Sequence, residues 1–385
     1  MKKKLIKILV LELIIVSLLF FAIINNEFKL TNIIKEIFKD YTKEEVNTNI
    51  DYDANNIDNI VENIFKSEEK EKDSIYETIK KGLLEGKTSI KVDENLLGEN
   101  RDNFFDIVED VLLDNPEIMY YTSGKYSNGI FTPKYSKPIE EKQVHQKIIK
   151  EKRDEIIPKI IDNNMSHYEK VKTIHDFIIN NTQYDTRHFN GEKIPSESYT
   201  VYGVLIKGKA VCEGYAKTMK YFLDYLDIES MIVVGSANGE NHAWNIVNID
   251  GDYYHIDATW DDPVTDDGTD TIIYDYFNLK DKDIEKTHNW NRDKYPICNS
   301  DKYNYYYYNE LIVFNYTEFY NKVKSALLNN KDEISLKILD YDEKTYNIPS
   351  TINNIVINNS NKITINKYAY SINTNQNIVK IYFLK

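Results

Sequence analysis

Gly208-Lys209-Ala210-Val211-Cys212-Glu213-Gly214-Tyr215-Ala216 and, thirty residues on, Asn241-His242-Ala243-Trp244-Asn245-Ile246-Val247-Asn248-Ile249-Asp250-Gly251 carry the reading of this chain. Gly208 signals a turn. Tyr215, Met219, Phe222 and Leu226 then recur at helical spacing, which puts Cys212 in the first turn of an amphipathic helix. Free N–H groups and the helix dipole at such a start favour an anionic sulfur and can hold an oxyanion. A cysteine at a helix start is weak evidence on its own, because buried structural cysteine is the commoner case.

The second stretch gives that thiol a partner. His242 to Ile249 alternates like a strand, Asp250-Gly251 is a type I′ hairpin signal, and Tyr253 to Trp260 reads as the returning strand. A two-residue turn opposes His242 to Thr259 and Trp244 to Asp257. His242 and Asp257 then share a face as diagonal neighbours, about 7–8 Å apart at the backbone. A slip of one residue would separate them. Imidazole, orienting carboxylate and helix-start thiol together make an activated-nucleophile arrangement.

These blocks resemble the transglutaminase-like superfamily of papain-type thiol enzymes. The matching residues are Gly208 to Ala216, His242-Ala243-Trp244-Asn245 and Asp257-Ala258-Thr259-Trp260-Asp261. Tyr168-Glu169-Lys170-Val171, Ile174-His175-Asp176, Tyr184-Asp185, Tyr202-Gly203, Tyr276-Phe277 and His288-x-Trp290 look like its bacterial branch. The resemblance covers about residues 140–300. It implies Cys212 as nucleophile, His242 as base and Asp257 as orienter. It also implies an acyl-transfer, peptidase or amidase activity. Related thiol enzymes use a side chain upstream of the nucleophile as a second oxyanion donor, and Tyr202 is the candidate. The implied fold is α+β, a papain-like core with the Cys212 helix packed on an antiparallel sheet.

Around this core the chain divides into five stretches. Lysines 2, 3, 4 and 7 precede or interrupt an apolar run from Leu5 to Ile24, so 1–26 reads as a signal anchor or signal peptide. Its 20 residues reach about 30 Å as a helix, enough to span a bilayer core. The lysines are expected to stay inside and the rest of the chain to be exported, as a single-pass membrane protein or a secreted one if cleaved. Residues 27–57 are polar and Asn-rich, a stalk. Residues 58–137 form a small α+β unit, 138–300 the catalytic domain, and 301–385 a second small α+β unit. Tyr320 to Ile334 aligns without gaps on Tyr76 to Ile90, which suggests that the two flanking units are related.

Composition narrows the partners. The 385 residues carry a net charge of −14, which excludes nucleic acid as the main partner, since phosphate binding needs a basic surface. Cys212 and Cys298 are too few for a disulfide framework or a four-thiolate zinc site. Outside the cell they have each other as a possible disulfide partner; the reading preferred here leaves Cys298 structural. His242, His255, Asp257, Asp261 and Asp262 hold metal-ligand chemistry without a His-x-x-x-His or Glu-x-x-His spacing. The run Asp261 to Asp270 lacks the alternation of a calcium loop. No cofactor or metal is expected. The expected substrate is a protein or cell-wall peptide amide. The competing class is a surface scaffold that keeps the fold without catalysis; the intact Cys212, His242 and Asp257 argue against it.

Overall fold

The computed structural model describes residues 74–93, 104–263, 271–363 and 365–384. The chain divides into Met1–Glu68 and Glu69–Lys385, and every described residue lies in the second. The signal-anchor and stalk stretches lie outside the described residues.

The described part is α+β with three main hydrophobic cores in chain order. In the first, α1 (74–84) ends at Gly86 (φ 72°) and leads into β1 (Ile90–Lys91). Next come α2 (Phe104–Asp114), β2 (Tyr121–Ser127) and β3 (Ile130–Tyr135). The sheet order is β1-β3-β2, with both pairings antiparallel. Asn128 and Gly129, both at positive φ, make the hairpin turn.

Helix α3 (Ile139–Ile160) fastens this unit to the centre. Its buried Lys142 ammonium donates to the carbonyls of Leu83 (2.9 Å) and Leu84 (3.1 Å) in the last turn of α1. Burial pulls this lysine down to about 8.

In the centre, Ser166 caps α4 (His167–Asn180) in a full capping box with Glu169. The short parallel pair β4 (Gln183–Tyr184) and β5 (Lys209–Ala210) delivers the chain to α5 (Cys212–Tyr225). Then β6 (Ser230–Ala237), β7 (Glu240–Ile249), β8 (Asp252–Ile256) and β9 (His288–Trp290) form an antiparallel sheet of order β8-β7-β6-β9. Helix α5 lies on this sheet. Asn245 of β7 donates to the Ala216 carbonyl (3.0 Å), pinning the helix that begins at Cys212 to the strand that carries His242.

The last core is built by α6 (Tyr316–Leu328), β11 (Glu333–Ile338), α7 (Ile348–Asn358), β12 (Lys367–Asn373) and β13 (Ile378–Leu384). A two-residue strand, β10 (Ile312–Val313), pairs parallel to β11. Without β10, the order β11-β13-β12 and its antiparallel pairings repeat the first unit strand for strand. The gapless alignment sets Val323 on Ile79, Leu327 on Leu83 and Ile334 on Ile90, and all six are buried.

Candidate active site

The hairpin register is the one the turn dictates. Asn245 pairs with Ile256, Val247 with Tyr254 and Ile249 with Asp252, while Asp250 (φ 53°) and Gly251 (φ 92°) occupy the turn. The returning strand is shorter than the alternation to Trp260 suggests. It stops at Ile256, because Asp257 Oδ1 accepts the backbone N–H of Thr259 (3.0 Å) and Trp260 (3.2 Å) and turns the chain away. Asp257 therefore stands just past the ladder, with Oδ2 2.6 Å from His242 Nε2.

Cys212 is the first residue of α5 and partly exposed. No side chain caps that helix, so its leading N–H groups are open to an anion. Glu213, beside the thiol, is paired with Lys217 at 2.6 Å. Cys212 and His242 line the same cleft, and the thiol is among the groups that raise the His242 imidazole. With Nε2 committed to Asp257, Nδ1 is the ring nitrogen left for the sulfur.

Burial opposes a charge on His242. The charge and hydrogen bond of Asp257, with the Cys212 thiol, outweigh it and raise the imidazole to about 10. Burial likewise opposes ionisation of Asp257, but His242 and His288 hold the carboxyl well below its usual range. The pair is an imidazolium and a carboxylate at neutral pH.

Tyr202, the upstream oxyanion candidate, does not line the cleft over Cys212. It is buried, and its ring stacks on His145 with centroids 3.7 Å apart, so packing accounts for it. Tyr199 does line that cleft, and burial raises the phenols of both Tyr199 and Tyr184. Nothing in the sequence separates these two from the chain's many other tyrosines.

Of the candidate ligand residues, His242 and Asp257 meet, while His255, Asp261 and Asp262 are engaged by other partners. His175, fully buried, reaches Asp176 Oδ1 (3.0 Å) and Asp261 Oδ2 (3.1 Å), and Asp262 accepts from the Tyr215 hydroxyl (2.5 Å). His255 accepts the Trp244 indole N–H at Nδ1 (3.0 Å) and faces Asp281 through Nε2 (2.9 Å). Cys298 is buried near that pair, and both cysteines are free. Among the described residues, two clusters have ligand atoms close enough for one ion: His242, Asp257 and His288, and His255, Asp281 and Cys298. The first already satisfies its carboxylate with imidazole N–H groups. In the second, the Trp244 bond assigns the His255 proton to Nε2, the atom facing the carboxylate.

His288 stands in the motif His288-x-Trp290, which by itself signals no place beside Asp257. The structure puts its Nε2 3.0 Å from Asp257 Oδ2.

A cleft of about 1280 Å³ opens above Cys212 and His242. One wall comes from α2 and the start of β2, including Leu112, Leu113 and Tyr121; the other is the segment 193–200. Leu113 packs on Ala216, Ile232 and Ala243, so the first small unit is seated beside α5. Several charges at this cleft are neutralised in pairs: Lys137 with Glu197 (2.8 Å), Lys217 with Glu213, and Glu109 with Lys294 (3.4 Å).

A cysteine at a helix start, facing a histidine–aspartate pair on an antiparallel sheet, is the papain-type plan. The family model of the transglutaminase-like superfamily matches residues 154–258, so this segment is a transglutaminase-like domain. Two curated relatives are kyphoscoliosis peptidases. The chain is 24% identical to that of Mus musculus over 146 residues, covering 34% of this chain and 22% of the relative. It is 25% identical to that of Homo sapiens over 138 residues, covering 32% and 21%. The chain thus spans about a fifth of the length of these relatives. A solved structure of a TGase aligns at 20% identity with a TM-score of 0.27, over 36% of this chain and 43% of that one.

Proposed function

We propose that this chain is a thiol enzyme that attacks a Gln side-chain amide or a peptide amide through Cys212, forming a thioester that an amine or water resolves. The observation that carries the reading is that Cys212, first residue of α5, lines the same open cleft as His242, whose Nε2 lies 2.6 Å from Asp257 Oδ2.

The Cys212 sulfur attacks the carbonyl carbon. A C–S bond forms, and the carbonyl electron pair moves to oxygen, which the leading N–H groups of α5 hold. Collapse breaks the C–N bond, and the departing amine takes the proton of His242. Water or an amine then attacks the thioester while His242 takes its proton, and the thiolate leaves. Asp257 keeps the imidazole in register through both steps.

The cleft favours an extended polypeptide as substrate. It is open and roomy, apolar side chains such as Leu112, Leu113 and Tyr121 alternate with polar ones along its lining, and two of its lysines are already paired with carboxylates. Anchoring by 1–26 and export of the remainder belong to the same proposal, supported by the lysine-flanked apolar run. No helix among the described residues is long and apolar enough to cross a membrane.

The test is to incubate the chain with a panel of glutamine-containing donor proteins and a labelled primary amine, and to follow products by mass spectrometry. Amine adducts establish transamidation. A gain of about 1 Da establishes deamidation, and cleaved chains establish a peptidase. If no product forms and Cys212→Ala matches wild type in every assay, the scaffold reading replaces this one.

A further inference from the structure

Asp257 Oδ2 lies 3.0 Å from His288 Nε2 as well as 2.6 Å from His242 Nε2. His288 comes from β9, at the far edge of the sheet from β8, and lies beyond the segment matched by the family model, which ends at residue 258. Its side chain is fully buried. Trp244, Trp260 and Tyr276 surround its ring, with centroids 4.9, 4.7 and 5.7 Å away. Its other nitrogen, Nδ1, is 2.8 Å from the Thr287 hydroxyl. The ring is therefore fixed at both nitrogens and on its faces.

The carboxylate has two oxygens to satisfy. Oδ1 is taken by the N–H groups of Thr259 and Trp260. If His242 were the only donor to Oδ2, a buried lone pair on that oxygen would face nothing. A second N–H donor fills it and tightens the hold on the oxygen that faces His242.

We propose that His288 is a positioning residue of the thiol centre, holding the Asp257 carboxylate in the plane that orients His242 toward Cys212. This rests on the thiol-enzyme reading above. It adds that the centre is incomplete without β9, so the segment 154–258 does not carry the whole machinery. The role needs an N–H donor at the place of Nε2. A glutamine amide brings a neutral N–H to a similar place, while leucine fills similar space with no donor.

The experiment uses the full chain with His288→Leu and His288→Gln, each checked for folding by its melting temperature. Two quantities are read: the rate at which iodoacetamide alkylates Cys212 at pH 7, located by peptide mapping, and kcat and KM on whichever donor wild type accepts. His288→Leu is expected to slow alkylation and to lower kcat by about 10- to 100-fold with KM unchanged, the scale on which outer-shell hydrogen bonds to site ligands act. His288→Gln is expected to recover to within about threefold of wild type in both. Wild-type alkylation in His288→Leu overturns the proposal, and so does equal damage in the two variants, since loss of packing alone would affect both. Alkylation needs no substrate, so failure to find a donor leaves this test standing.

Discussion

His242 Nε2 and Asp257 Oδ2 are 2.6 Å apart, one residue on β7 and the other just past the end of β8. The contact depends on the two-residue turn at Asp250-Gly251, since one inserted residue would turn Asp257 to the other face of the sheet. Asp257 also closes the strand through its two backbone acceptances. Asp257→Asn replaces one carboxylate oxygen by an amide that cannot accept. Activity is expected to fall by about 10³- to 10⁴-fold, less than on removal of the nucleophile, and the melting temperature to fall as well. Steady-state rates and melts of the variant check both.

Cys212→Ala is expected to abolish amide cleavage and amine incorporation while leaving the melting temperature within a few degrees of wild type, because the side chain is partly exposed and caps nothing. A large loss of stability would mean that the thiol is structural. Cys298→Ala is expected to behave in the opposite way, losing stability but not activity, because that thiol is buried.

His242 makes stability depend on pH with a definite sign. Its folded value is raised to about 10, against about 6.5 for an unperturbed imidazole. The contribution is fully present below about 6.5 and is lost as pH rises through about 10. Wild type is expected to lose melting temperature across that interval more steeply than His242→Gln. Turnover is expected to fall over the alkaline end of the same interval, as the departing amine loses its proton donor. Parallel melting curves for the two proteins would contradict the assignment.

Gly235 lies opposite His242 on one side and Trp290 on the other. A Cβ there would stand 2.3 Å from the Asn289 carbonyl oxygen and 2.9 Å from the Trp244 ring. Gly235→Ala must push β9, and His288 with it, away from the sheet. It is expected to cost about 1–3 kcal/mol of stability and to slow Cys212 alkylation. Urea unfolding and peptide-mapped labelling measure the two effects.

The cleft wall from the first small unit predicts a separation of binding from chemistry. Tyr121→Ala is expected to raise KM for a polypeptide donor by about 3- to 30-fold and to leave the alkylation rate of Cys212 unchanged. Steady-state kinetics on a long and a short donor check it, and the short donor should be less affected.

The hairpin, its register, the helix start at Cys212 and the Ser166 capping box are legible in the sequence, because each depends on residues close together in the chain. His288 is a different case. Its distance from Asp257 depends on the order β8-β7-β6-β9, and no local pattern encodes which strand β9 will join. Tyr202 misled for a related reason. Its place upstream of the thiol says nothing of the stacking on His145, a residue of α3 far off in sequence. The short returning strand follows from a side chain overriding alternation, since Asp257 prefers to bind the backbone of its own turn.

The central claim is that His242 activates Cys212. The measurement that tests it most directly is the rate of iodoacetamide alkylation at Cys212 at pH 7 in wild type and in His242→Ala, with Cys298 as the internal reference. The account predicts that wild-type Cys212 is labelled far ahead of the buried Cys298 and that His242→Ala slows Cys212 by at least about tenfold. Equal rates at Cys212 in the two proteins would contradict it.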